Sequence, residues 1–152
     1  MVEIRTDDLS GEPTRALIAY HLADMQGASP PGTSFALDLS GLTSPDVTLW
    51  TAWRENRLLG MGALKRLDPL SGEVKSMRTH PDHLRQGVAA RLLDHIIAEA
   101  RTRGLKRLSL ETGTGETFEP ALSLYRRWGF QAGEPFGGYT PSDFNQFFHL
   151  SL

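Results

Sequence analysis

Residues 80–93 read HPDHLRQGVAARLL, a polar loop from His80 that meets Gly87 and runs directly into an apolar-striped segment. The seven residues before it, Glu73 to Thr79 (EVKSMRT), alternate in character as a strand does. A strand, a glycine and a helix start in that order form a local anion seat, because the first turn of a helix has free N–H donors and a partial positive charge. Gly87 presents no side chain to an approaching ligand, Ala89 and Ala90 keep the turn clear, and Arg85 adds a fixed cation. The same residues also suit a plain turn with a solvated arginine. The stretch alone leaves both readings open.

Downstream, Val88, Leu92, Leu93, Ile96, Ile97 and Ala100 make one apolar stripe, and Gly104 stands where a glycine closes a helix. LKRLSLE at 105–111 alternates as a second strand. A helical crossover between strands 73–79 and 105–111 makes them parallel neighbours. TGTGETF (112–118) is a glycine turn, and EPALSLYRRW (119–128) is a second helix with Pro120 in its first turn. Two short strands are expected near 130–132 and 147–150. Upstream come a strand at 2–5, a helix through Leu17, Ile18, Leu22 and Met25, and a Gly-, Pro- and Ser-rich segment at 26–45. Strands at 47–53 and 58–65 join through Glu55-Asn56 as a hairpin, with Gly60 and Gly62 counting slightly against the second. The order β-α-loop-β-β-β-α-β-α-β-β describes a mixed α/β fold in one domain, 1–152.

The whole chain narrows the function. It has 152 residues, 39% of them hydrophobic and 22% charged, with no apolar run near the ~20 residues of a membrane helix. The N-terminus MVEIRTDDLSG has acidic residues and no apolar signal core, so a cytoplasmic location is expected and no membrane partner. A net charge of -2 argues against a general hold on nucleic acid. The absence of cysteine removes disulfides, thiolate metal sites and a cysteine nucleophile together. His80 and His83 have a spacing found in zinc pairs but no further ligands at suitable spacing, so no metal is expected.

Glu73 is the first candidate for chemistry, because a carboxylate facing a cleft gains a raised pKa and can act as a base. Pairing with Lys75 is the equally good structural reading. Glu111 at the end of the neighbouring strand has the same two readings, with the structural one favoured. Alternation puts Val74, Ser76 and Arg78 on one face of the first strand and Glu73, Lys75, Met77 and Thr79 on the other. Tyr125 sits mid-helix at a packing position, and its hydroxyl needs a partner if buried.

Taken together these pieces resemble the GCN5-related N-acetyltransferase (GNAT) superfamily over essentially the whole chain. The family's R/Q-x-x-G-x-G/A signature aligns on Leu84-Arg85-Gln86-Gly87-Val88-Ala89, with the frequent upstream proline at Pro81. A second pattern, a small residue, L-Y and then G-F, matches ALSLYRRWGF, Ala121 to Phe130. Leu84 stands where Arg or Gln is usual, Arg85 where glycine is common, and Phe118 where many relatives have asparagine. The resemblance implies a mixed, mostly antiparallel sheet with a splayed parallel pair at its centre, and acetyl-coenzyme A held there as co-substrate.

Its pyrophosphate would rest on the N–H groups of Arg85, Gln86, Gly87, Val88, Ala89 and Ala90, beside Leu84 and Phe118, and its pantetheine arm along Met77, Arg78 and Thr79. The implied activity is transfer of acetyl to a primary amine of a small molecule or peptide by direct attack in a ternary complex. Glu73 is then the expected base, directly or through water, and Tyr125 the expected general acid. A non-catalytic acyl-coenzyme A sensor of the same fold is the alternative. The resemblance also allows a homodimer, with the apolar C-terminal strand as the contact.

Overall fold

The computed structural model describes residues 1–152. Strands β1 (Glu3–Thr6), β2 (Val47–Arg54), β3 (Arg57–Asp68) and β4 (Ser71–Thr79) pair antiparallel in succession. β5 (Arg107–Gly113) runs parallel to β4, then β7 (Asn145–Ser151) pairs antiparallel with β5, and β6 (Gln131–Gly133) with β7. The seven-stranded sheet therefore has the order β1-β2-β3-β4-β5-β7-β6. Glu55 and Asn56 turn the β2–β3 hairpin with φ of 48° and 67°, the two left-handed residues of a type I′ turn. No helix is long and apolar enough to cross a membrane.

Helices α3 (Val88–Thr102) and α4 (Glu119–Arg127) lie over one face, and α1 (Glu12–Ala28) with the short α2 (Leu39–Leu42) over the other. The apolar stripe of α3 is buried as its 3.6-residue period requires, with Leu92, Leu93 and Ile96 fully enclosed. Truncating any of these three to alanine costs about 2–5 kcal/mol. Gly62 belongs to β3 because a Cβ there would lie 2.5 Å from Met77 Sδ and 3.0 Å from Ile96 Cδ1. Its bareness admits Met77 and α3 against the sheet, so the glycines that counted against this strand serve its packing.

One detail of β4 overturns the alternation expected for it. Between the pairs Lys75↔Ala63 and Arg78↔Met61, two residues of β4, Ser76 and Met77, stand against Gly62 alone. This is a β-bulge, with Ser76 left-handed at φ 56°. The extra residue reverses the faces. Met77 joins Val74 on the side of the larger core, whereas Arg78 reaches His21 and Asp24 of α1. The C-terminal strand β7 pairs with β5 along its length and with the short β6 over Phe147 to His149.

Candidate active site

The parallel ladder between β4 and β5 is three pairs long and ends at Glu73↔Ser109. β5 continues against β7 as far as Gly113↔Asn145, while β4 bends away at its bulge and stays with β3. The strands part, and a cavity of about 710 Å³ opens in the fork. Ligand clefts usually enclose roughly 300–1,000 Å³.

At one end of this cavity the loop before α3 has two left-handed residues, Arg85 at φ 62° and Gly87 at φ 77°. A Cβ on Gly87 would meet nothing within 4 Å, so the ground in front of the helix is open. No side chain caps α3, which leaves its first-turn N–H groups unspent. Leu84, Arg85 and Gly87 to Ala90 border the cavity, as do Met77 to Thr79 on β4. The Gln86 side chain turns elsewhere, accepting from Arg54 Nη1 at 3.1 Å. Phe118 lines the cavity as a buried ring set edge-on to Phe144 at 5.6 Å. It is an apolar wall where an asparagine would be a polar contact. Tyr125 of α4 also reaches the cavity, and burial pushes its phenol above the ordinary value, so it stays protonated at neutral pH.

Glu73 lies at the crotch of the fork, 3% exposed. Its Oε2 accepts from Lys75 Nζ at 3.1 Å and from the Tyr139 hydroxyl. Lys75 also donates to the Tyr139 oxygen, closing a three-membered network. The Tyr139 ring stands edge-on to Phe35 at 5.1 Å and to Phe136 at 5.3 Å. Two loops of opposite chain halves are thereby fastened to β4.

Glu111 lines the same cavity from β5, two residues past the last parallel pair, and is half-buried. Its carboxyl is pushed up to about 7, first by burial and further by the Glu73 charge, against the opposing effect of Lys75 and the Asn145 amide. On the α1 side, Arg78 donates from Nε to His21 Nδ1 at 2.8 Å and pairs with Asp24 at 2.9 Å. His21 is pulled down to about 4 by burial and then by Arg78, with Asp24 opposing. The Ser76 hydroxyl at the bulge is buried without a partner.

Every residue expected from the sequence to act on the acceptor or to hold the cofactor borders this cavity except Gln86, whereas His80 and His83 do not border it. Lys75 does pair with Glu73, so the structural reading of Glu73 is realised inside the cavity wall. Tyr139, His21 and the left-handed Ser76 were not singled out. Tyr139 lies 66 residues from Glu73 in a glycine- and proline-containing segment, and no periodicity marks it. No group of three or more His, Asp and Glu side chains is placed to hold a metal.

A strand fork that opens onto an uncapped, glycine-fronted helix start is the form that the resemblance to acyl-coenzyme A-dependent transferases implies. The Acetyltransferase (GNAT) family model matches residues 14–130, and the chain belongs to this family. It is 51% identical over 138 residues to the uncharacterised N-acetyltransferase YsnE of Bacillus subtilis, covering 91% of each chain. It is 47% identical over 152 residues to YedL of Escherichia coli, an N-acetyltransferase likewise uncharacterised, covering 100% of this chain and 96% of that one. Its fold matches a Klebsiella pneumoniae structure provisionally described as an acyl-CoA N-acyltransferase, with TM-score 0.84 at 29% identity over 100% and 98% of the two chains. The fold of an Elizabethkingia anophelis acetyltransferase with acetyl-CoA bound is also similar, at TM-score 0.66 and 18% identity over 99% and 98%. The protein is an N-acetyltransferase that uses acetyl-coenzyme A as co-substrate and acts on an acceptor.

Proposed function

We propose that the acetyl group passes directly from acetyl-coenzyme A to a primary amine, of a small molecule or a peptide, with both substrates bound together in the fork. The observation that carries this reading is the continuity of the cavity. It borders the open start of α3 and also the Glu73, Lys75 and Glu111 side chains. With no cysteine in the chain, no enzyme thiol is available to carry the acetyl group between them.

The N–H groups from Arg85 to Ala90 suit a pyrophosphate, since two left-handed residues and an uncapped helix turn donors toward an open space. Arg85 supplies a cation beside them. The segment Met77 to Thr79 suits the pantetheine arm, because β4 has no β5 partner beyond Glu73. Bound acetyl-coenzyme A supplies the activated acetyl group. The remaining tasks fall to the chain: Tyr125 donates to the leaving sulfur, and the acidic end of the cavity receives the proton of the acceptor ammonium. An alkylammonium has a pKa near ~10, so that proton must be removed before attack.

A screen of amines, amino acids, polyamines and peptides for acetyl-coenzyme A consumption tests the activity. Two-substrate initial rates with the best acceptor then test the route. Intersecting double-reciprocal lines are expected for a ternary complex; parallel lines would show a covalent enzyme intermediate and sink the proposal.

A further inference from the structure

We infer that Glu111 is the group that takes the proton from the acceptor ammonium, while Glu73 acts as a positioning residue that holds Lys75 and Tyr139. This rests on the direct-attack reading above and divides between two carboxylates the role the sequence alone assigns to Glu73.

The division follows from what each carboxylate already touches. Glu73 is 3% exposed and receives two donors on one oxygen, from Lys75 and from Tyr139. Moving it toward an amine would strip both partners and leave Lys75 buried without a counter-charge, which is strongly unfavourable. Glu111 has no ion pair of its own, is half-buried, and lies on the cavity wall beyond the point where β4 and β5 separate. The neighbours on β5 confirm its direction. Leu108 and Leu110 enter the core packed by α3 and α4, so Ser109 and Glu111 share the opposite face, where Glu73 stands beside Ser109.

The groups that face Glu111 are Lys75 and Glu73 from β4, Tyr139 from the 134–144 loop and the Asn145 amide from β7. Burial raises its carboxyl, Lys75 and Asn145 offset part of the rise and Glu73 adds to it, which leaves it at about 7, between an inert surface glutamate and a group never ionised. A base poised there is ionised for a useful fraction of the time and still strong enough to accept a proton.

The step balances as follows. The acceptor ammonium gives one proton to the Glu111 carboxylate. The free amine nitrogen bonds to the acetyl carbon, the carbon–sulfur bond breaks with its electron pair on sulfur, and the sulfur takes a proton from Tyr125. The second nitrogen proton, released as the amide forms, restores Tyr125. Glu111 then returns its proton to solvent, and no oxidant or further reactant is needed.

The test is a comparison of Glu111→Gln, Glu73→Gln and wild type with the best acceptor from the screen, together with acetyl-coenzyme A affinity by calorimetry. Glu111→Gln is expected to lower kcat by about 10²–10⁴-fold, with acetyl-coenzyme A affinity unchanged. Wild type should show an acid limb in kcat with an apparent pKa near 7, and the variant's residual rate should instead climb tenfold per pH unit as free amine accumulates. Glu73→Gln should retain the limb near pH 7 whatever its rate. If Glu111→Gln keeps wild-type kcat, or if the limb persists in Glu111→Gln and vanishes in Glu73→Gln, the assignment is overturned while the direct-attack reading stands. A wild type with parallel double-reciprocal lines overturns both.

Discussion

His21 takes the Arg78 Nε–H on its Nδ1, 2.8 Å away, so its own proton sits on Nε2 and the ring is held neutral. Its pKa of about 4 is below the unfolded value near ~6.5. The unfolded chain therefore gains the proton first, and stability present above about pH 6.5 is lost as pH falls toward 4, in all about 3 kcal/mol. Chemical unfolding of wild type and His21→Gln at pH 7.5 and 4.5 measures this. Wild type should lose more stability over that interval, and an equal loss in both would show that the ring is not held neutral. Glu111 has the opposite sign. Its folded pKa of about 7 exceeds the unfolded value near ~4.3, so its contribution is complete below that value and is lost as pH rises through 7. Discounted for partial exposure this amounts to about 1–2 kcal/mol. Glu111→Gln should therefore be more stable than wild type at pH 8 and no more stable at pH 4.5. A group kept at this cost on a cavity wall is what a working base looks like, so the stability measurement and the kinetic one bear on the same carboxylate by independent routes.

At the scale of elements, the loop before α3 and the bulge in β4 each place left-handed residues beside the cavity, at Arg85, Gly87 and Ser76. Any side chain at Gly87 is strained by about 1–2 kcal/mol at φ 77°, although space is open around it. Comparing Gly87→Glu with Gly87→Ala removes that strain from the argument, since both share it. The glutamate should weaken acetyl-coenzyme A binding at least about tenfold beyond the alanine by setting an anion against the helix start; equal affinities in calorimetry would mean the pyrophosphate lies elsewhere. The form of this loop was legible in a glycine set between a strand and an apolar stripe, but its reading as an anion seat needed the second motif, Ala121 to Phe130. The β2–β3 hairpin was legible through Glu55-Asn56, a turn-prone pair whose asparagine tolerates positive φ. The faces of β4 were not. A single inserted residue reverses alternation without any change in hydropathy, so plain alternation puts Met77 on the wrong side and gives no sign of the bulge at Ser76. Tyr139 was equally hidden, because its meeting with Glu73 depends on how β6 and β7 bring a distant loop back over the sheet.

For the molecule as a whole, the fork lies between two unequal cores. Eighteen buried residues gather around α3 and α4, and eight around α1 and α2. The loop 84–87 leads into α3 and so rests on the larger core, whereas the cavity is bordered elsewhere by His21, Asp24 and Met25 of α1 and by Phe35, whose ring Tyr139 meets edge-on. This arrangement separates the effects expected of mutations at the two ends. Tyr139→Phe keeps the ring against Phe35 and Phe136 but removes its hydrogen bond to Glu73, leaving Lys75 as the partner. A hydrogen bond to a charged group contributes about 1.5–3 kcal/mol. For a chain of this length each kcal/mol shifts Tm by about 2–4 °C, so a fall of roughly 3–12 °C is expected by calorimetry. Loosening both loops should raise the acceptor KM several-fold while the affinity for acetyl-coenzyme A stays within about twofold, because α3 and its loop take no part in the network. Parallel losses for both substrates would show that the two ends are coupled through the sheet and that Tyr139 organises the fork as one unit.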